Sequence, residues 1–253
     1  MQGFVKVIGM DCATDAKKVG LAMGTYSNNG IALIDTKFGS DGISIAEIIK
    51  SWIQEDEKVI FAIDAPLGWP EELGNSLHRH LAGQALPVES NLIFRRATDR
   101  FIKEVLGKQP LDVGADRIAR TAHAALKIIE ELRLVVNNKI EMAWNPEKLG
   151  GISVIEVYPA ATLQCYGIRS VGYKEKEQKD ERDDILNALK KVMDIRCDLL
   201  HMRQSADVLD SAVCLLAAKD FLNGDVYFPR DFEKAKKEGW IWIKKYSSAM
   251  NFA

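Results

Sequence analysis

Two nearly continuous apolar segments each end in an aspartate: FVKVIGMD at residues 4–11 and KVIFAID at residues 58–64. Runs this rich in Val and Ile predict strands that are buried on both faces of a sheet. The segment DGISIAEIIKSWIQ from residue 41 has helical spacing, and a helix between two strands indicates that the strands are parallel neighbours. Asp11 and Asp64 are therefore expected at one edge of the sheet, where open α/β sheets bind their ligands.

The rest of the sequence predicts an α/β fold with a mixed sheet of about five strands and flanking helices. Segments 18–26 and 30–38 predict two further strands, and the turn sequence SNNG between them indicates an antiparallel hairpin. The later elements are expected to be a mostly helical insertion at 65–151, a strand at 151–159 and a helix at 205–224. We interpret residues 1–253 as a single domain.

The composition bounds the class of protein. A chain of 253 residues with 47% hydrophobic residues suits one large globular domain. No apolar run approaches the roughly 20 residues that span a bilayer, and the N-terminal segment has the pattern of a strand rather than of a signal peptide. We therefore expect no membrane association and a cytoplasmic location. The four cysteines are widely spaced and are expected to be free thiols: Cys12, Cys165, Cys197 and Cys214.

Further acids are expected to join Asp11 and Asp64. Asp207 and Asp210 are three residues apart on the predicted last helix and so share one of its faces, while Glu156 lies mid-strand in VIEVYP. Acids that converge repel one another and raise each other's pKa, and a bound cation removes this repulsion. Oxygen ligands favour Mg²⁺ or Mn²⁺.

This pattern predicts a centre for phosphoryl transfer that holds two ions during catalysis. We expect Asp11, Asp64, Asp207 and Asp210 to be the metal ligands, with Glu156 as a further catalytic acid. All of these residues except Asp210, which lies deeper in an apolar helix, also have a simpler interpretation. Asp11 and Asp64 could start turns, Asp207 could be a first-turn acid that the helix dipole favours, and Glu156 could be the buried partner of an arginine.

Charge along the chain predicts where an anionic substrate would bind. The net charge of −2 argues against a DNA-coating protein, yet residues 78–139 contain 11 Lys and Arg against 7 acids. Arg95, Arg96 and Arg100 in RRATDR predict a phosphate clamp, with a solvated helix start as the alternative. Lys174 in GYKEKEQKDER is a nucleic-acid-binding candidate, with a flexible solvated surface as the alternative.

Other residue clusters have simpler interpretations. His78 and His80 in HRH could bind a metal, but an exposed loop is the favoured interpretation. Trp240 and Trp242 alternate with two isoleucines and are expected to pack in the core rather than to stack on bases.

The motifs GMDCAT, AIDAP and DVLDSA, in an order of three strands, a helix and a strand, resemble the ribonuclease H-like superfamily. Six longer motifs extend the similarity from residue 7 to about residue 242: IDAPLGWP, RRATDR, VIEVYPAATL, GYK, DVLDSAVCLLAA and EGWIWI. In this order they are similar to domain-of-unknown-function family 429, which is described as predicted nucleases. The resemblance implies a ribonuclease H-like mixed five-stranded sheet. One departure is Asp64, where Holliday-junction resolvases commonly have Glu, because the shorter side chain requires a closer metal.

The leading hypothesis is a metal-dependent nuclease that selects the structure rather than the sequence of DNA or RNA. The second hypothesis is an actin-like or sugar-kinase-type phosphotransferase that binds ATP, because DCATDAKKVGLAMG is similar to a phosphate loop. Such proteins contain two copies of the domain and a Gly-rich adenosine segment, neither of which this sequence shows. The third is a non-catalytic binding module with the same fold. Association into a homodimer is left open.

Overall fold

The computed structural model describes residues 4–40, 42–54, 57–114, 116–175 and 177–245. The strands are β1 Val5–Asp11, β2 Gly20–Ser27, β3 Gly30–Phe38, β4 Val59–Asp64, β5 Ile140–Met142, β6 Ile152–Glu156 and β7 Asp194–Ile195. The helices are α1 Ile45–Lys50, α2 Glu71–Leu77, α3 Ser90–Phe94, α4 Ala97–Leu106, α5 Asp116–Val136, α6 Pro159–Cys165, α7 Lys179–Leu189, α8 Leu200–Gln204, α9 Ala206–Leu222 and α10 Phe232–Glu238. The predicted α/β class is thus confirmed.

All seven strands of the described ranges form one mixed sheet in the order β5-β6-β4-β1-β2-β3-β7. As predicted, β1 is parallel to β4 and β2 is antiparallel to β3; β1 is also antiparallel to β2. The predicted number of about five strands is wrong. The two additional strands are the edges β5 and β7, which have three and two residues. Segments this short have no hydrophobic period that a sequence could reveal.

Residues 65–151, predicted as a mostly helical insertion, connect β4 to β6 and contain the helices α2, α3, α4 and α5 together with the edge strand β5. The long helix α5 packs against α1. The buried face of α5, with Ala125, Ile129 and Leu132, belongs to the same hydrophobic cluster as Ile8 of β1 and Phe61 of β4. Helix α5 therefore covers one face of the sheet instead of standing apart from it.

The other face of the sheet is covered by α9, which contacts β1, β2, β3 and β4. Ser205 is its N-cap, as predicted, and accepts hydrogen bonds from the backbone N–H groups of Asp207 and Val208. Nearly all of α9 is buried, because α6 and α8 pack on the side that the sheet leaves free. Helix α9 is thus fixed on several sides, and so are the acids that it carries.

Gly9 of β1 lets α9 approach the sheet closely. A Cβ atom built on Gly9 would lie 2.0 Å from the backbone oxygen of Ser211 and 3.0 Å from the Cβ atom of Cys214. Because the nearest atom belongs to the helix backbone, rotating a side chain cannot relieve this clash. The spacing between β1 and α9 therefore depends on the absence of a side chain at residue 9.

We predict that Gly9→Ala lowers the free energy of unfolding by about 2 to 3 kcal/mol, because α9 must move away from β1. Denaturant unfolding measures this change. The control is Gly74→Ala in α2, where a Cβ atom would meet nothing within 4 Å. Alanine there should stabilise the protein by about 0.5 to 1 kcal/mol because it is the better helix former. Equal stability of Gly9→Ala and the wild type would contradict the close packing.

Several smaller predictions can also be compared with the described part of the chain. The four cysteines are free thiols. Trp240 and Trp242 pack in the core, 3% and 0% exposed, as expected. The SNNG turn is confirmed, since Asn28 and Asn29 have φ angles of 47° and 62°, which suits a tight hairpin between β2 and β3. No helix within the described ranges is long and apolar enough to cross a membrane.

Candidate metal centre in a cleft at the sheet edge

Asp11 and Asp64 are the last residues of the parallel neighbours β1 and β4 and are directly paired in register. Strand alternation places Asp11 on the face of Val5, Val7 and Gly9, which is the face that α9 covers. Asp64 follows Ile60 and Ala62 onto that same face. Two carboxylates thus emerge side by side at the carboxyl end of the parallel strands, as predicted.

Asp210 joins these two acids from above the sheet. One carboxylate oxygen from each of Asp11, Asp64 and Asp210 lies within 4.8 Å of the other two. We call these three residues the acid triad. Asp210 is fully buried in α9, while the side chains of Asp11 and Asp64 are half-buried and face the cleft. The triad therefore combines two adjacent strand ends with one buried helix.

Asp210 has two polar partners from the loop between α6 and α7. The Tyr173 hydroxyl donates a hydrogen bond of 2.6 Å to Oδ1 of Asp210, and the Lys174 ammonium lies 2.7 Å from Oδ2. The buried Arg182 of α7 fixes this loop, because its Nη1 donates to the backbone oxygens of Tyr173 and Glu175 at 2.7 and 2.8 Å. Lys174 was predicted to bind nucleic acid or to lie on a solvated surface; here its ammonium contacts the triad.

The pKa values of Asp11 and Asp64 are raised by burial and by neighbouring acids. Burial raises the pKa of Asp11 well above its usual value, and Asp64 and Asp210 raise it further. Burial also raises the pKa of Asp64, to about 7, although Lys174 opposes the shift. For Lys174, burial lowers the pKa, but Asp210, Asp64 and Asp11 outweigh it and raise the pKa above its usual value. The site thus has more negative charge than its own lysine neutralises.

The raised pKa of Asp64 predicts that stability falls with rising pH when no metal is present. The unfolded carboxyl group loses its proton near pH 4 and the folded one near pH 7. The folded state is therefore penalised progressively between these values and fully above pH 7. The penalty is about 2 kcal/mol, less than the whole shift implies because Asp64 faces solvent in the cleft.

Urea unfolding in EDTA at pH 5 and pH 8 measures this penalty. We expect Asp64→Asn to be more stable than the wild type at pH 8, with a smaller difference at pH 5. The control is Asp184→Asn, which changes an exposed acid of α7 outside the cleft. An Asp64→Asn variant with the same pH dependence as the wild type would contradict the burial of a charged triad.

A cleft of about 390 Å³ opens above the triad. Asp11 and Asp64 form its acidic floor, Lys108, Ser170 and Lys174 contribute polar groups, and Pro110 and Leu111 form part of an apolar wall. A cleft of this size at the carboxyl ends of parallel strands is the usual position for a ligand in an α/β sheet. The acid triad is the cluster of potential metal ligands found in the described residues, and its members Asp11 and Asp64 line this cleft.

The donor set of the triad fits a hard divalent cation. Carboxylate oxygens suit Mg²⁺ or Mn²⁺, and no thiol or imidazole belongs to the cluster that the structure describes. Around an octahedral Mg²⁺, adjacent oxygens lie about 3.0 Å apart and opposite ones about 4.2 Å, so three ligands within 4.8 Å of one another would have to move closer by up to about 2 Å. Asp11, Asp64 and Asp210 could therefore hold one such ion.

Comparison with protein families decides what this chain is related to. The family described as "Protein of unknown function (DUF429)" matches residues 9–234, which include the triad and every residue that lines the cleft except Ile241. The chain belongs to the DUF429 family. The family similarity expected from the sequence motifs is thus confirmed.

Other comparisons add little to the family assignment. No curated protein matches the chain. One solved structure with a match is described as a structural study of the Aquifex aeolicus PPX-GPPA enzyme. It is 9% identical, covers 96% of this chain and 97% of its own, and has a TM-score of 0.17. A TM-score this low supports no argument about fold or function.

Glu156 of this DUF429 protein lies outside the triad. It ends β6 rather than lying mid-strand, and it is paired in register with Ile63, not with Asp64. Strand alternation therefore directs Glu156 to the face opposite Asp64. Of the two roles considered for Glu156, the structure shows the buried partner of an arginine, Arg96.

Arg96 was predicted to belong to a phosphate clamp, but the structure shows it bound to buried acids, so the clamp stays a prediction without support from this geometry. Its side chain is 1% exposed, and its two Nη atoms donate to Glu156 at 2.7 and 2.8 Å. The same guanidinium donates to Asp99 at 2.9 and 3.1 Å and to the backbone oxygen of Glu238 at 3.1 Å. Arg96 thus pairs with two buried carboxylates and joins α4 to β6 and α10.

The other two clamp residues also have internal partners. Arg95 donates to Asp112 at 2.7 Å and to Asn91 at 2.8 Å. Arg100 donates to the backbone oxygens of Arg95 and Asn91 at 2.5 and 3.3 Å. Neither side chain lines the triad cleft. Their predicted contact with nucleic acid stays a prediction, and the structure gives it no support at the triad.

Asp207 lies one turn before Asp210 but is not part of the triad. Its backbone oxygen lies close against Gly20, where an added Cβ atom would be 2.1 Å away. Burial raises the pKa of Asp207, with Asp210 as the next cause. Asp207 therefore contributes negative charge near the site while the described cluster of metal ligands excludes it.

His78 and His80 also lie outside any metal cluster of the described ranges. His78 follows α2 and is exposed, which agrees with the favoured interpretation of this segment as exposed. Sequence reasoning missed three residues of this DUF429 site: Tyr173, which binds Asp210, Arg182, which holds the loop of Tyr173, and Lys108, which lines the cleft. Tyr173 had one signal, since it precedes Lys174 in the GYK motif. Arg182 and Lys108 had none, because their partners are distant in sequence or are backbone groups.

Proposed function

We propose that this protein is a metal-dependent nuclease with a ribonuclease H-like fold, and that the acid triad is its catalytic centre. The observation that carries the proposal is the meeting of Asp11, Asp64 and Asp210 within 4.8 Å at the floor of a cleft. Two strand ends and a buried helix hold the three acids, so the charge repulsion among them is built into the fold. A site that only maintained the fold would not need this repulsion.

The charges of the site agree with a divalent cation. Three carboxylates and the Lys174 ammonium have a formal charge of −2 when all are ionised. When bound, Mg²⁺ or Mn²⁺ supplies Lewis acidity towards a phosphodiester and lowers the pKa of water. Tyr173 and Lys174 hold the Asp210 carboxylate in one orientation, which leaves Asp11 and Asp64 to face the cleft.

Two ions, as the nuclease hypothesis expects, require more negative charge than the triad and Lys174 provide. A second cation would leave this group with a formal charge of +2. A substrate phosphodiester, Asp207 or a shift of Lys174 away from Asp210 could supply the balance. We therefore propose that one ion binds to the free protein and that a second binds together with the substrate.

A phosphodiester suits the cleft because cations lie next to the acids. Lys174 contacts the triad, and Lys108 lies on the same cleft wall as Ser170. Lysines beside a carboxylate metal site are well placed to bind the phosphate oxygens that the metal does not contact. Contacts from lysine to phosphate carry no sequence information, which agrees with selection of structure rather than of sequence.

The experiment is a cleavage assay with branched and single-stranded DNA and RNA in Mg²⁺ or Mn²⁺, together with thermal melts with and without metal. We expect metal to raise the melting temperature and to be required for cleavage. A wild-type protein that melts identically in both conditions and cleaves no substrate would contradict the proposal.

Calorimetric titration separates the two alternative functions. A titration with Mn²⁺ followed by ATP should show metal binding without ATP binding. Binding of ATP would favour the phosphotransferase, and binding of neither ligand would favour the non-catalytic module.

A further inference from the structure

Lys108 is a cation on the cleft wall, and no acid of the described residues is paired with it. Its ammonium donates a hydrogen bond of 3.3 Å to the Ser170 hydroxyl, and both residues line the triad cleft. Across the ranges that the structure describes, no carboxylate forms an ion pair with Lys108. Lys174, in contrast, is neutralised by Asp210. The cleft therefore has one lysine whose charge is balanced by the protein and one whose charge is not.

The surroundings of Lys108 disfavour its own positive charge. Burial lowers its pKa, and the nearby Lys174 lowers it further by charge repulsion. An anion beside Lys108 would remove both effects. The Ser170 hydroxyl accepts the bond from Lys108 and so keeps its own O–H group free to donate to such an anion.

We propose that Lys108 and Ser170 form a phosphate-binding subsite for the phosphate of a nucleic acid next to the one that reaches the triad. This inference rests on the proposed nuclease function and names the part of the substrate that the cleft wall binds. Lysine binds phosphate as a point charge without a fixed orientation, which suits a flexible strand of any sequence.

The cleft continues in a direction that suits a polymer. Beyond Pro110 and Leu111, a second open cleft begins, and Arg95, Gln109 and Arg117 are among its lining residues. The two clefts share Pro110, Leu111 and Ile118 as their common wall. A strand that enters at Lys108 would therefore pass from one cleft into the other, whereas a small phosphate ester would occupy the first cleft alone.

The test measures binding of a fluorescent single-stranded oligodeoxynucleotide over a salt series, in EDTA and in Ca²⁺. We expect Lys108→Gln to weaken binding about tenfold at low salt and to reduce the slope of log K against log salt by about 0.7. Lys108→Arg keeps the charge and should keep the slope. The control is Lys191→Gln, which removes an exposed lysine outside the cleft and should change neither quantity.

A wild-type protein and a Lys108→Gln variant with equal affinities and slopes would overturn the subsite, as would a wild-type protein that does not bind the oligonucleotide in either condition. A second arm uses inorganic phosphate as a competitor. Weak competition by phosphate against the oligonucleotide supports binding of a strand. If the protein bound free phosphate through Lys108 but did not bind the oligonucleotide, the subsite would instead belong to a small phosphate ester. Failure of Ca²⁺ to strengthen binding would count against the metal centre. The ratio of the wild-type affinity to the Lys108→Gln affinity in EDTA would still decide the subsite.

Discussion

Asp11→Asn is expected to reduce Mg²⁺-dependent cleavage by at least about 10³-fold, because it removes one carboxylate from a site that three carboxylates form. Asparagine keeps the shape of the side chain and removes its charge. The loss of charge relieves the repulsion from Asp64 and Asp210, so the variant should fold and should be more stable than the wild type without metal. Cleavage rates and thermal melts of the purified variant measure both effects.

The matched control is Asp207→Asn, which makes the same chemical change one helical turn before Asp210. Since Asp207 is not part of the triad, this variant should lose less than about tenfold in rate. Asp210→Asn should behave like Asp11→Asn in cleavage. Full activity of Asp11→Asn, or an equal loss in Asp207→Asn, would contradict the assignment of the metal ligands.

Arg96→Ala is expected to lower the free energy of unfolding by about 3 to 5 kcal/mol, because it leaves the carboxylates of Asp99 and Glu156 buried without their partner. Both acids are 0% to 2% exposed in this ion pair, so water cannot replace the lost guanidinium. Denaturant unfolding of the wild type and the variant measures the difference.

The matched control is the neighbouring Arg95→Ala. Its ion pair with Asp112 has side chains that are 31% and 39% exposed, and such pairs contribute less than about 1 kcal/mol. If Arg96→Ala were as stable as Arg95→Ala and instead lost affinity for nucleic acid, the predicted phosphate clamp would be the better interpretation.

The part of the site that could be predicted from the sequence lies on the sheet. Asp11 and Asp64 each follow an uninterrupted apolar run, and a helix between two such runs almost always makes them parallel neighbours. Asp210 could be predicted because it interrupts an apolar helix that has no solvent-exposed face. These inferences need only the local pattern and the rules that connect neighbouring elements.

The remaining part depends on contacts between distant segments. RRATDR has the composition of a solvated helix start, and only the position of Glu156, 60 residues later, shows why Arg96 is buried. Glu156 alternates in phase with Ile152 and Val154, and in the structure all three lie on the face of the sheet opposite Asp64. A strand that is apolar on both faces gives no sign of which face meets the site. Lys174 likewise lies in a loop, and its contact with Asp210 depends on tertiary packing.

The most direct test of the acid triad is a crystal structure of the protein soaked in Mn²⁺, with anomalous diffraction measured to locate the ion. We predict an anomalous peak in contact with carboxylate oxygens of Asp11, Asp64 and Asp210, and no such peak in Asp11→Asn crystals. A soaked wild-type crystal with no peak at the triad, or with Mn²⁺ bound only elsewhere, would contradict the account.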